Sequence, residues 1–265
     1  MDNSISLKNK NVLVTGGSRG IGAGIAKAMA ACGANVLINY RSHKESAVEL
    51  VDFLQNEYDV KMSSFCADIS KKDEVEKMFL YADEHFGSID ILINNAGCES
   101  IEHALFLELD EWDRIFDVNV KGAFYCSQQA GRRMADKKTG VIINISSIHD
   151  KVPRKGLVHY CSSKAALNMM TKCLALELAE YNIRVVTVSP GAIETEMNRD
   201  EINEFGRDKF NDWIPLGKIG NVGDVAWTCA FMASEKAAYI SATEIYIDGG
   251  YKESTIPYDP RKINK

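Results

Sequence analysis

Short apolar runs alternate with amphipathic stretches from near residue 10 to about residue 250. Residues 11–15 (NVLVT), 35–40 (NVLINY), 61–67, 90–94 (DILIN), 140–146 (GVIINIS), 183–189 (IRVVTVS) and 241–247 read as seven strands. The apolar runs are continuous, as in strands buried on both faces. Between them lie helices: 21–32, a charged amphipathic stretch at 44–58, 72–86, a long helix near 111–134, and one from about 160 to 180. Strand–helix alternation implies a parallel sheet covered on both sides. The predicted fold is α/β: a single-domain, doubly wound Rossmann-type fold spanning residues 1–265, with a seven-stranded parallel sheet. Ligands are then expected beyond the carboxyl ends of the strands. The polar segment 195–220, with Trp213, Ile214 and Leu216, breaks the alternation after the sixth strand. It is expected to overhang those ends as a lid. The tail 251–265, with Pro257 and Pro260, is expected to be extended.

Composition adds exclusions. Hydrophobic residues make up 46% and charged residues 26%, the balance of a globular chain with a large core. The net charge is −6, and no basic stripe marks a nucleic-acid surface. No apolar run reaches membrane-spanning length, and Met-Asp-Asn-Ser-Ile-Ser lacks a leader pattern. The expectation is a cytoplasmic protein with a small-molecule substrate and neither nucleic-acid nor membrane partners. The seven cysteines are scattered, without a Cys-x-x-Cys pair, and read as reduced thiols packed as small apolar groups. No His/Asp/Glu/Cys cluster has ligand spacing, so no metal is expected.

Two patterns carry chemistry. Tyr160 and Lys164 stand one helical turn apart in Tyr-Cys-Ser-Ser-Lys, on one helix face. A neighbouring cation favours phenolate, so the pair is expected to lower the tyrosine pKa and give a proton donor and acceptor near neutrality. Ser147, at the end of the fifth strand, can donate a hydrogen bond to a carbonyl or developing alkoxide. Asn119 sits mid-helix, where asparagine is unfavourable without a role. The second pattern is Thr15-Gly16-Gly17-Ser18-Arg19-Gly20-Ile21-Gly22, between a strand and a helix. Gly16 permits a tight turn, Gly20 lets backbone approach a pyrophosphate, and Gly22 allows close helix packing. The helix N-terminus then faces the phosphates.

In this order the motifs resemble the short-chain dehydrogenase/reductase family over residues from about 8 to 250. Thr15–Gly22 matches the cofactor turn, including Ser18 and Ile21. Asn94-Asn95-Ala96-Gly97 matches the motif after the fourth strand. Asn119, Ser147, Tyr160 and Lys164 match the catalytic tetrad. Pro190-Gly191, Ile193 and Thr195 match the segment that contacts the nicotinamide carboxamide. The resemblance implies that Lys164 binds the nicotinamide ribose, that Asn119 holds a water in a proton relay, and that Asp68, with Ile69 beside it, contacts adenine. It also implies a homotetramer. The helix from about 160 to 180 agrees, since its apolar residues exceed what one sheet-facing side can bury.

The second strand ends in Asn39-Tyr40-Arg41-Ser42, without the carboxylate an NAD enzyme usually places there. Arg41 and Arg19 can face a 2′-phosphate, so NADP(H) is expected to be preferred, with NAD(H) possible. Two solvated arginines are the alternative. Residues 146–153, Val158-His159-Tyr160 and Gly97-Cys98-Glu99 resemble the bacterial glucose 1-dehydrogenase branch. By that resemblance Glu99 and His149, with Ser147 and Tyr160, contact a sugar. Arg154-Lys155-Gly156 departs from that branch. The expected activity is hydride transfer between NAD(P) and a secondary alcohol or ketone, with glucose or a related polyol first. A 3-oxoacyl thioester, a steroid, or a catalytically silent NADP sensor on the same fold are the alternatives.

Overall fold

The computed structural model describes residues 5–196 and 199–254. Seven strands form one parallel sheet in the order β3-β2-β1-β4-β5-β6-β7. They are β1 Asn11–Val14, β2 Asn35–Tyr40, β3 Met62–Cys66, β4 Ile91–Asn94, β5 Gly140–Ile145, β6 Ile183–Pro190 and β7 Glu244–Ile247. β1 pairs with β2 on one side and β4 on the other, through Val12↔Val36 and Val12↔Ile91. The winding direction reverses between β1 and β4, which opens a crevice beyond their carboxyl ends.

The pleat sorts side chains between two cores. Val12, Val14, Val36 and Ile38 face a layer containing α1 (Gly20–Ala31) and α9 (Val222–Ala233). Leu13, Leu37, Leu92 and Ile142 face the layer of α3 (Lys72–Phe86), α5 (Ala123–Lys137) and α6 (Val158–Glu177). α2 (Lys44–Glu57) buries Leu50, Val51 and Leu54 on the first side. α1 and α9 cross closely at Gly24, where a Cβ would fall 1.9 Å from Val222 Cγ1.

The long helix expected near 111–134 runs from α4 (Leu109–Phe116) through a π-helical turn (Asp117–Gly122) into α5. π-turns of this kind gather at functional sites, and Asn119 lies within this one. Most other boundaries shift by one or two residues. The seventh strand begins at Glu244 rather than 241, after Ala242 with φ 55°. The 195–220 segment folds as two short helices, α7 (Arg199–Phe205) and α8 (Arg207–Trp213). The expected extended tail is wrong in its described part: Tyr251–Glu253 forms a 3-10 turn, held by Lys252 N–H donating to Asp248 Oδ2 at 2.8 Å. Residues 197–198 of the segment expected to form a lid and residues 255–265 of the tail lie outside the described residues. Among the described residues no helix is long and apolar enough to cross a membrane.

Candidate active site

A cavity of about 920 Å³ opens beyond the carboxyl ends of β1, β2, β4, β5 and β6. Its first half is a backbone cradle. Gly16 and Gly20 adopt φ of 60° and 54°, in the left-handed region that favours glycine. A Cβ on Gly16 would meet Ala96 Cα at 2.9 Å, and one on Gly22 would meet the Gly16 carbonyl oxygen at 2.3 Å. The turn is pinned from behind. Asn95 Nδ2 donates to the Thr15 and Gly16 carbonyls, both at 3.0 Å, and Gly17 N–H donates to the Asn39 carbonyl at 2.9 Å. Asn39, absent from the expected site, is buried and also donates to the Ala67 carbonyl at 2.9 Å. Its signal was a polar residue inside a strand that is otherwise apolar.

Ser18, Arg19, Ile21, Tyr40, Arg41, Ser42, Asp68 and Ile69 line this half with the glycines. Arg41 lies 4.0 Å from Asp68 and its side chain is 60% exposed, free enough to swing onto a ligand. Asp68 also accepts from Ser70 N–H at 2.9 Å, which fixes the turn into α3. Ala96, Gly97, Pro190, Gly191, Ile193 and Thr195 close the inner wall. The residues present fit a dinucleotide: a glycine cradle with no room for a Cβ at Gly16 or Gly22, opening on a helix N-terminus.

The second half holds Ser147, Tyr160 and Lys164, with Glu99 and His149 on the same cavity. Lys164 is buried, donates to the Ile145 carbonyl at 3.0 Å, and stands 5.6 Å from the centre of the Tyr160 ring. Burial lowers its pKa to about 8. The expected lowering of the tyrosine pKa is not what this cavity produces. Burial, with the Glu99 charge next, raises the Tyr160 phenol, and a hydrogen bond with Ser147 opposes this only in part. The ammonium lies beside the ring and spends its hydrogen bond on a carbonyl, so desolvation outweighs it.

Asn119 alone among the candidates stands behind the wall. Its Oδ1 accepts from Cys98 N–H at 2.9 Å, and its Nδ2 donates to the Cys98 carbonyl at 2.9 Å and to Ser163 Oγ at 3.0 Å. The π-turn aims this amide at the loop after β4, and thus sets Gly97–Glu99 against the cavity. His149 Nδ1 pairs with the Val152 carbonyl at 2.8 Å, so one ring nitrogen serves the loop. Phe210 and Trp213 on α8, 5.1 Å apart between ring centres, add an aromatic wall, and Tyr251 and Lys252 reach the rim from the turn after β7. The segment's Trp213 is legible in the sequence, but Phe210 is not singled out there, and nothing in the sequence shows that the tail folds back.

A family profile described as enoyl-(acyl carrier protein) reductase matches residues 16–252. The chain is 40% identical over 246 residues to 3beta-hydroxysteroid dehydrogenase 1 of Eggerthella lenta, covering 92% of this chain and 94% of that protein. It is 37% identical over 248 residues to glucose 1-dehydrogenase 2 of Bacillus subtilis, covering 92% and 95%. It is 38% identical over 242 residues to a 3-oxoacyl-[acyl-carrier-protein] reductase of Staphylococcus epidermidis, covering 91% and 98%. A solved gluconate 5-dehydrogenase from Burkholderia cenocepacia, in complex with NADP and tartrate, superposes with a TM-score of 0.87 at 29% identity, covering 94% of this chain and 97% of that one.

Proposed function

The chain belongs to the short-chain dehydrogenase/reductase family and is an NAD(P)-dependent oxidoreductase; from that premise we propose that it interconverts a secondary alcohol and ketone of a polyhydroxylated substrate, with glucose or a related polyol first. The observation that carries this reading is the presence of Glu99 and His149 on the same cavity as Tyr160, Ser147 and Lys164. A site built to bond hydroxyls rejects analogues that lack them.

NAD(P), when bound, supplies or accepts the hydride. Gly16, Gly20 and Gly22 would hold its phosphates, Lys164 its nicotinamide ribose, and Asp68 its adenine. Tyr160 moves the proton at the substrate oxygen. Its raised pKa keeps the phenol protonated at neutral pH, which is the form that ketone reduction consumes. Ser147 donates to the same oxygen as negative charge develops there. Asn119 braces the Cys98 backbone and Ser163 from behind the wall, and its part in the proton relay is to hold a water. Arg41 and Arg19 favour NADP(H) over NAD(H), because no carboxylate at the end of β2 repels the 2′-phosphate. α7 and α8 act as the lid. Met169 and Leu176 on α6 are 60% and 76% exposed, and copies pack on this face in a tetramer.

A second reading is steroid oxidation, favoured by the Phe210–Trp213 wall and by the hydroxysteroid dehydrogenase relative. A panel of aldoses, polyols, steroids and 3-oxoacyl esters, followed by nicotinamide absorbance, separates the two. The sugar reading expects turnover of aldoses or polyols, and Glu99→Ala and His149→Ala enzymes whose KM rises more for that substrate than for a small alcohol. Efficient turnover of steroids with none of any sugar overturns it.

A further inference from the structure

Two carboxyl groups lie between the catalytic turn, α6 and β7, and the chemistry above uses neither. Asp150 is buried, 7% exposed, and Glu244 is half-buried. They share the Asn168 amide and lie close enough for Glu244 to raise the pKa of Asp150. Two carboxylates held this close away from water repel each other, so the arrangement favours the state in which one of them carries a proton. The neighbours complete the arrangement. Asn168 Nδ2 donates to Asp150 Oδ2 at 3.2 Å and also to Glu244 Oε2. Ser189 Oγ donates to Glu244 Oε1 at 2.6 Å, and the Tyr246 hydroxyl donates to Asp150 Oδ1 at 3.2 Å.

The pair is wired to the reacting groups. Asp150 N–H donates to the Ser147 carbonyl at 3.1 Å and closes the 3-10 turn that begins after Ser147. Ser146 Oγ lies 3.5 Å from Asp150 Oδ2 and 3.4 Å from the Lys164 carbonyl. Glu244 begins β7, which runs into the Asp248–Lys252 turn at the cavity rim. We propose that the Asp150–Glu244 pair is a positioning element that shares one proton and thereby clamps the Ser147 turn and the Lys164 helix to β7.

The cations around the pair oppose retention of that proton, and burial with the mutual contact of the two carboxyls outweighs them. Lys151, from the same turn, favours the ionised form of Asp150, and Lys164 on α6 faces it from the other side. Lys252 and Asp248 stand beyond Tyr246, with Lys252 Nζ 4.5 Å from that ring's centre. Ser189 on β6 is neutral, and His149 is engaged by the Val152 carbonyl. Burial, then the Glu244 contact, raises Asp150 to about 7. Burial pushes Glu244 up as well, but hydrogen bonds from Asp150, Ser189, Tyr246 and Asn168 together bring it below its ordinary value. The pair therefore holds one proton between the two limits. A carboxyl with a raised folded pKa stabilises the fold below its unfolded pKa, and that contribution disappears as pH rises through the folded one. For Asp150 the window runs from the ordinary carboxylate range to about 7.

The test uses the intact protein with Glu244→Gln, which keeps the shape and supplies a neutral partner, and Glu244→Ala, which removes it. Melting temperature and infrared absorption of protonated carboxyl groups are followed from about pH 5 to about pH 8. Neither needs a substrate, so their failure is separate from failure of the proposed function. Wild type is expected to lose melting temperature across this range, and a carboxylic-acid band with it. Glu244→Gln is expected to melt with a flatter pH dependence and to lack that band near pH 6 (about the middle of the range). With any substrate turned over, kcat/KM of wild type falls several-fold through neutrality in a limb that Glu244→Gln lacks. Glu244→Ala is several-fold weaker at every pH and Glu244→Gln restores it. Superimposable wild-type and Glu244→Gln pH profiles, or no protonated carboxyl band in wild type, overturn the proposal.

Discussion

The two halves of the cavity are built from different materials. The dinucleotide half is backbone: Gly16 and Gly22, where the nearest contacts of a Cβ would be 2.9 and 2.3 Å, Gly20, whose φ of 54° favours glycine, and Asn95 and Asn39 behind them. The proposed substrate half is side chain: Glu99, His149, Phe210, Trp213 and Lys252, carried on loops, short helices and a turn. Backbone recognition leaves a spacing in the sequence, because only glycine satisfies the steric conditions. Side-chain recognition leaves only residue types, whose meaning depends on how loops from distant parts of the chain converge. The relatives reflect this: a steroid, a sugar and an acyl-carrier-protein enzyme all match nearly the whole chain at similar identity.

A change in the first half should therefore act on every substrate equally. Gly22→Ala forces a Cβ to within 2.5 Å of Asn95 Nδ2 and against the Gly16 carbonyl. We expect kcat/KM to fall about 10²-fold or more, since a misplacement of about 1 Å costs that much, and NAD(P) affinity to fall with it. The check is steady-state kinetics on two unrelated substrates. Unequal losses would break the division of labour. Trp213→Ala provides the contrast, with losses that differ between substrates and unchanged cofactor affinity.

A smaller effect is expected at the outer edge of the first half. Arg41 is largely exposed, so solvent screens it and a charge-assisted contact there is worth about 1–2 kcal/mol. Arg41→Asp should move the NADP-to-NAD ratio of kcat/KM toward NAD by roughly tenfold. An unchanged ratio removes Arg41 from cofactor selection.

The smallest effect concerns stability and has the opposite sign to activity. Lys164 is buried with one carbonyl acceptor, and its pKa is lowered to about 8. A lysine depressed in this way opposes folding while charged, by on the order of 3 kcal/mol at neutral pH, and the opposition fades as pH rises through about 8 toward its unfolded pKa. Part of that cost is offset by the hydrogen bond to Ile145. Lys164→Met should raise the melting temperature at neutral pH by a few degrees while removing activity. The gain should shrink at higher pH. A melting temperature that falls would show that the ammonium is a structural support.

These contrasts explain what could be read in advance. The seven parallel strands, the glycine turn and the Tyr160–Lys164 pair follow from periodicity and spacing, and the family resemblance groups Ser147 with them. The π-turn at Asn119 does not, because it depends on tertiary contacts with Cys98 and Ser163, 21 and 44 residues away. The Asp150–Glu244 pair joins the turn after β5 to the start of β7, residues far apart in the chain, and neither has a sequence motif. The direction of the Tyr160 pKa was misread for a related reason. Spacing reports that Lys164 is near, but burial decides the sign.

The central assignment is that Tyr160 moves the proton in a cleft whose cofactor half is independent of it. Its most direct test is Tyr160→Phe, with NADPH affinity measured by fluorescence titration and turnover measured alongside. The expected result is a Kd near wild type and turnover reduced by about 10²–10⁴, the range for a general acid–base group. Near-native turnover in that variant would contradict the assignment.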